Sequence, residues 1–171
     1  DKVDQDGQTP LHAAARPGRV DVVTYLVDKG ANIDKADRYG QTPLHVAVHP
    51  GSVDVTTYLV DKGADIHKAD SNGVTPLHEA AQHGTIDIVT YLVDNGADID
   101  GVNYVDGTPL HVAAKHGRVD IVTYLVDKGA NIDKVDQDGQ TPLHAAARPG
   151  RVDVVTYLVD KGANIDKADR Y

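Results

Sequence analysis

Five histidines stand at a fixed interval: His12, His45, His78, His111 and His144, each 33 residues after the one before. A regular row of imidazoles raises two chemistries, a metal-binding ladder and a proton relay, because each ring can ligate an ion or carry a proton near neutrality. His45 and His49 add the i, i+4 spacing that can ligate zinc from one helix face, but no carboxylate or third His is close to them in sequence. Asp4-Gln5-Asp6-Gly7 and Asp136-Gln137-Asp138-Gly139 have the outline of the start of a calcium loop. Such a loop needs alternating oxygen ligands and a closing Glu. Here the text turns to Gln-Thr-Pro-Leu-His, which opens a helix too early. The chain has no Gly-x-x-x-x-Gly-Lys-Ser/Thr phosphate cradle, no Gly-x-Ser-x-Gly elbow and no Asn-x-Ser/Thr acceptor. It also has no Cys, hence no disulfide, thiolate nucleophile or thiolate zinc site. No catalysis, bound metal or cofactor is expected.

The elements that position the histidines are themselves periodic. Thr-Pro-Leu-His begins at Thr9, Thr42, Thr75, Thr108 and Thr141; Gly18, Gly51, Gly84, Gly117 and Gly150 come next, then Tyr-Leu-Val at Tyr25, Tyr58, Tyr91, Tyr124 and Tyr157. The repeats run approximately over 4–36, 37–69, 70–102, 103–135 and 136–168. Thr9 can N-cap a helix through its hydroxyl, with Pro10 at the first helical position, where a missing N–H costs little. A short helix is predicted from about Pro10 to Arg16, stopped by Pro17-Gly18, a pair that recurs as Pro50-Gly51 and Pro149-Gly150. Val20, Val23, Leu26 and Val27 then keep helical spacing, with Asp21 favourably placed in the first turn, so a second helix is predicted to end before Gly30. Ala31-Asn32-Ile33-Asp34 and Asp37-Arg38-Tyr39-Gly40 read as an extended, hairpin-like finger. One such helix pair cannot bury its own apolar face, so the repeats must stack into a solenoid. Neighbours packed roughly 10 Å apart hold successive histidines too far from one another to share an ion.

The 33-residue period with Asp-x-x-Gly-x-Thr-Pro-Leu-His and Gly-Ala-Asp/Asn-Ile-Asp resembles the ankyrin repeat over essentially the whole chain. The resemblance implies an all-α solenoid of five stacked helix-turn-helix units with β-hairpin-like finger loops, forming one domain over 1–171. It also implies a structural role for the histidines, each bonding the Thr of its own motif and backbone in the adjoining finger. The motif residues are Thr9 with His12, Thr42 with His45, Thr75 with His78, Thr108 with His111, and Thr141 with His144. The fourth repeat departs from the pattern. Gly7, Gly40, Gly73 and Gly139 mark the other finger turns, but Asn103-Tyr104-Val105-Asp106-Gly107 has its Gly one place late. Asp106 is therefore expected to take the turn conformation, distorting the finger. His67, Gly101 and Val102 are further departures, all in fingers.

Of the 171 residues, 42 are Leu, Ile or Val, well above the level at which disorder is expected. No apolar run approaches the length of a membrane span and no signal peptide opens the chain, so a soluble protein without membrane partners is expected. A formal charge of -9 disfavours nucleic acid. The absence of Met marks the chain as a trimmed or excised piece. Residues 1–39 recur letter for letter as 133–171, an offset of four 33-residue repeats, although neighbouring repeats differ at many positions. The chain is thus expected to be a window on a longer array, natural or engineered. Designed proteins of this kind normally carry polar end caps, and their absence favours a natural array.

Variation between repeats marks the working surface. The finger and first-helix-end positions change: Gln5, Asp6, Gln8 and Arg16; then Arg38, Tyr39, Gln41 and His49; then Ser71, Asn72, Val74 and Gln82; then Tyr104, Val105, Gly107 and Lys115. The resemblance implies that fingers and first helices line a concave groove for folded or extended protein partners. A non-catalytic protein-binding module is the first expectation, with Arg38, Tyr39, Gln41, His49, Asn72, Gln82, Tyr104, Val105 and Lys115 as contacts. Arg and Tyr are the residue types that most often dominate such interfaces. Tyr39, Tyr104 and Tyr171 occupy finger tips, whereas Tyr25, Tyr58, Tyr91, Tyr124 and Tyr157 are expected to be half-buried packing residues. The alternative expectation is a structural spacer or self-assembling array with no dedicated ligand, since both halves of a stacking interface stand uncapped and weak head-to-tail association can result.

Overall fold

The computed structural model describes residues 2–49, 52–83 and 85–170. The expected helix stops at Pro50-Gly51 and Gly84 and the finger tip at Tyr171 lie outside the described residues. Among the described residues the regular structure is all helical: α1 (Pro10–Ala15), α2 (Val20–Asp28), α3 (Pro43–Val48), α4 (Val53–Asp61), α5 (Pro76–His83), α6 (Ile86–Asp94), α7 (Pro109–His116), α8 (Val119–Asp127), α9 (Pro142–Ala147) and α10 (Val152–Asp160). None is long and apolar enough to cross a membrane. The helices group into two compact units, Asp1–Ala97 with repeats one to three and Asp98–Tyr171 with repeats four and five.

Each first helix begins as its sequence dictates. Thr9 stands in extended backbone, its hydroxyl accepts from the His12 N–H, and the His12 ring reaches back to the Thr9 N–H, a reciprocal cap with Pro at the start of the helix. Helix length depends on the residue two places beyond the helix. α1 and α9 stop at six residues ahead of Pro17 and Pro149, which lack the N–H another turn requires. Where His83 and His116 replace that Pro, α5 and α7 run to eight residues. The second helices close with a bond from Gly30 N–H to Val27 O at 2.9 Å and from Ala31 N–H to Leu26 O at 3.0 Å. This closure needs left-handed backbone, which Gly30 supplies at φ 86°.

In the first unit, α1 packs on α3 and α3 on α5, while α2 packs on α4 and α4 on α6; in the second, α7 packs on α9 and α8 on α10. The core lies between successive pairs: Leu11, Leu44, Leu77 and Leu110 are fully buried, as are Leu59, Leu92 and Leu125. One core position breaks the rule. Thr56 stands where the other repeats have Val23, Val89, Val122 and Val155, and its hydroxyl is buried with no hydrogen-bond partner among the described residues. An orphaned buried hydroxyl costs roughly 1–3 kcal/mol, so Thr56→Val, which keeps the shape, is expected to stabilise the protein by about 1 kcal/mol. A raised urea midpoint checks this, and a lowered one contradicts it.

Two expectations need correction. No non-Gly residue has positive φ among the described residues, so Asp106 does not take the turn conformation. The fourth finger instead closes one residue later, with Gly107 at φ 84°. Buried Asn103 gathers the displaced loop, its Oδ1 accepting from the Val105, Asp106 and Gly107 N–H groups at 2.9, 2.7 and 3.1 Å. Tyr58, Tyr91, Tyr124 and Tyr157 are half-buried, but Tyr25 is exposed. The reason is positional: Tyr58 and Tyr91 reach back to Asp28 and Asp61 of the preceding repeat, and among the described residues no such Asp stands in front of Tyr25.

Candidate functional site

The fingers are shaped by one side chain each. Asp37 Oδ1 accepts from the Tyr39 and Gln41 N–H groups, both at 2.9 Å, while the Asp37 N–H donates to Gln41 O at 2.8 Å and Gly40 N–H to Asp37 O at 3.1 Å. Adjacent fingers are tied by backbone bonds, Arg38 N–H to Asp6 O at 3.0 Å and Ser71 N–H to Tyr39 O at 2.9 Å. The motif histidines clamp helix to finger. His12 Nδ1 lies 3.1 Å from Thr9 N and 2.9 Å from Thr9 Oγ1, and His12 Nε2 lies 3.0 Å from Gln41 O. His45 repeats this on Thr42 and on Val74 O at 3.0 Å, and His111 on Thr108 and on Gln140 O at 2.9 Å. His78 and His144 hold Thr75 and Thr141 through the same Nδ1 contacts. Since Nδ1 accepts the Thr N–H, the ring proton sits on Nε2 and donates to the finger carbonyl. Burial pushes His45 and His111 below the ordinary histidine range, against the opposing pull of those carbonyls.

Six of the nine candidate contacts belong to the first unit and three to the second. Arg38 stands over the Tyr39 ring, 4.7 Å from its centroid, hydrogen-bonds the Tyr39 hydroxyl and pairs with Asp6 at 2.7 Å. Tyr39 is half exposed. The Gln41 carbonyl is taken by His12, while Asn72 and Gln82 are exposed at a finger tip and a helix end. The His49 ring packs against the His83 ring, tilted by 47° with centroids 3.9 Å apart, and His83 pairs with Glu79 at 3.3 Å. Burial raises the Glu79 carboxyl, with the nearby His45 and His49 working against it. The sequence left His49 without such neighbours. Glu79 and His83, themselves at i, i+4, are joined to it only by the stacking of α3 on α5.

In the second unit, Tyr104 and Val105 are 69% and 63% exposed, against 50% for Tyr39 at the second finger tip. Lys115 reaches from the end of α7 to Asp106 at 2.5 Å. Val105, Asp106 and Lys115 form one side of a groove of about 270 Å³, closed by Asp136, Asp138, Gln140, Ala145, Arg148 and Pro149. Asp138 and Arg148 are not among the nine expected contacts, although they are the repeat-five copies of Asp6 and Arg16, which variation between repeats marks.

The ankyrin-repeat family model matches in three copies, over residues 1–70, 37–103 and 77–169. The chain belongs to the ankyrin-repeat family. The match spans nearly every residue and fits the capped first helix, the Gly-closed second helix and the finger of each repeat. Ankyrin repeats are in general protein–protein interaction modules and typically non-catalytic. No curated protein matches the chain.

Proposed function

We propose that this ankyrin-repeat chain is a non-catalytic module that binds a protein or peptide along its finger tips and first-helix ends, without cofactor, nucleic acid or membrane. The observation that supports it best is the groove of the second unit. Val105 stands out at its finger edge, next in the chain to the exposed Tyr104, and the groove is lined by charges of both signs, Lys115, Arg148, Asp106 and Asp138. An extended peptide fits such a strip, with an apolar anchor at the rim and polar groups to fix its register. The Arg38–Tyr39 pair, with Gln41, His49, Asn72 and Gln82, supplies contacts on the first unit in the same reading.

The test is retention of partners by the immobilised chain. Tyr104→Ser with Val105→Ser touches only exposed side chains and is expected to leave the melting temperature nearly unchanged. It is expected to weaken a retained partner by roughly 30-fold, the cost of losing a hot spot of about 2 kcal/mol. Equal retention by the variant and the parent chain contradicts the surface. Retention of nothing specific by either favours the spacer reading.

A further inference from the structure

We propose that the seam between the fourth and fifth fingers binds the main chain of an extended, basic segment of a protein partner, through a backbone donor and acceptor that other neighbouring fingers satisfy for each other. The proposal rests on the partner-binding reading and names the chemistry of that partner. Three finger junctions are tied by one main-chain bond each: Arg38 N–H donates to Asp6 O at 3.0 Å, Ser71 N–H to Tyr39 O at 2.9 Å and Arg170 N–H to Asp138 O at 3.1 Å. Between fingers four and five the corresponding groups are Gln137 N–H and Val105 O, and neither has a hydrogen-bond partner among the described residues. The cause is the late glycine. Elsewhere Gly40 N–H closes its turn on Asp37 O and Gly73 N–H on Asp70 O. In finger four the Asn103 side chain instead gathers the Val105, Asp106 and Gly107 N–H groups, and Gly107 takes the left-handed backbone. The Val105 carbonyl then no longer meets the Gln137 N–H. Both groups belong to adjoining fingers of the second unit, so the opening is set by the turn of finger four.

Main-chain groups left open in this way are satisfied by water or by an incoming chain. Val105 and Gln137 line a cleft of about 80 Å³, and Val105 also borders the larger groove beside Lys115. A partner peptide lying across the finger tips can set one peptide unit in the cleft, its C=O accepting from Gln137 N–H and a neighbouring N–H donating to Val105 O, as a strand adds to an open sheet edge. Its adjacent side chain then enters the groove beside Val105 and Ala145. Charge fixes the type of residue. The cleft is lined by Asp136 and Asp138 and by no basic side chain, while Lys115 is already held by Asp106 at 2.5 Å. Fingers one and two contain a template for what is missing: Arg38 pairs with Asp6 of the preceding finger at 2.7 Å and stands 4.7 Å from the Tyr39 ring centroid. Fingers four and five offer the Tyr, 69%-exposed Tyr104, and the Asp, Asp138, on the rim of one cleft, but Gln137 stands at the position of Arg38. An Arg or Lys of the partner supplies that cation, and the net charge of -9 draws such a segment in.

Hydrogen exchange of the full chain tests the seam without any ligand. The Gln137 amide is expected to exchange much faster than those of Arg38 and Ser71, and to slow in the double variant Asp106→Gly, Gly107→Gln, which rebuilds the Gly-Gln ending of fingers one, two and five. A Gln137 amide as protected in the parent as Ser71 overturns the proposal. Binding is tested with a random peptide library selected on the full chain, circular dichroism checking that the double variant stays folded. The selected peptides are expected to be rich in Arg and Lys, to bind more weakly as salt rises, and to lose roughly ten-fold in affinity when a single backbone amide is N-methylated or when the double variant replaces the parent. Peptides that bind parent and double variant equally, or that tolerate N-methylation at every position, overturn the seam while leaving a binding module in place. Selection of acidic or uncharged peptides overturns the assignment of a basic partner. A library from which the parent retains nothing overturns the partner-binding reading and the seam with it.

Discussion

His111→Ala is expected to lower the unfolding free energy by roughly 3–5 kcal/mol, because it removes a fully buried ring together with its hydrogen bonds. The ring is 1% exposed and touches Thr108 N at 3.1 Å, Thr108 Oγ1 at 2.8 Å and Gln140 O at 2.9 Å. Its loss leaves the Thr108 N–H and the finger carbonyl without the partner they were folded around. His144 is the internal control. It keeps the Thr141 contacts but is only half-buried, and its Nε2 has no partner among the described residues. His144→Ala is therefore expected to cost about 1–2 kcal/mol. Equal losses in the two variants, measured by urea unfolding, would mean that the bond to the finger carries no stability.

The same geometry sets a pH dependence. A second proton would have to sit on Nδ1, where it opposes the Thr N–H, and burial already holds His45 and His111 below the ordinary range. With the native values depressed, the unfolded chain binds more protons as pH falls below about 6.5, so stability is complete above that value and declines through the acid range until the native rings titrate. Glu79 has the opposite sign. Its carboxyl is raised by burial, so it takes up a proton more readily in the folded state and offsets part of the loss. Between pH 7 and pH 5 the urea midpoint is expected to fall, and to fall less in a His45→Asn, His111→Asn variant than in the parent. An identical slope would place the dependence elsewhere.

The repeat made most of this fold legible because its signals are local. A Thr-Pro start, a Pro-Gly or Gly stop and apolar residues at helical spacing act within a few residues, and α1 and α2 fall within a residue or two of their expected ends. The features that escaped depend on contacts between repeats. Tyr25 and Tyr157 have identical sequence surroundings, yet one is exposed and the other half-buried, because burial is decided by the repeat in front. The His49–His83–Glu79 cluster and the groove beside Val105 arise the same way, from residues about one period apart. The fourth finger failed for a different reason. Asp tolerates left-handed backbone, but a Gly one step on accepts it at less cost, and the loop moved to reach the Gly.

That shifted turn makes Gly107 the least replaceable glycine of its finger. Gly107→Ala is expected to cost roughly 2–4 kcal/mol from two separable sources. The first is the strain of an L residue at φ 84°, about 1–2 kcal/mol. The second is contact, since a Cβ at this position would lie 2.9 Å from His111 Cγ and 3.0 Å from Asp136 Cβ. The ring cannot give way without loosening its hold on Thr108 and Gln140, so the clash reaches the clamp that joins helix to finger. Gly30→Ala isolates the first source. Gly30 has nearly the same φ, 86°, but nothing stands within 4 Å of its Cβ position, so only the backbone strain applies. The difference between the two variants in urea unfolding measures the packing alone, and equal costs would show that His111 yields freely and that the late glycine serves only the turn.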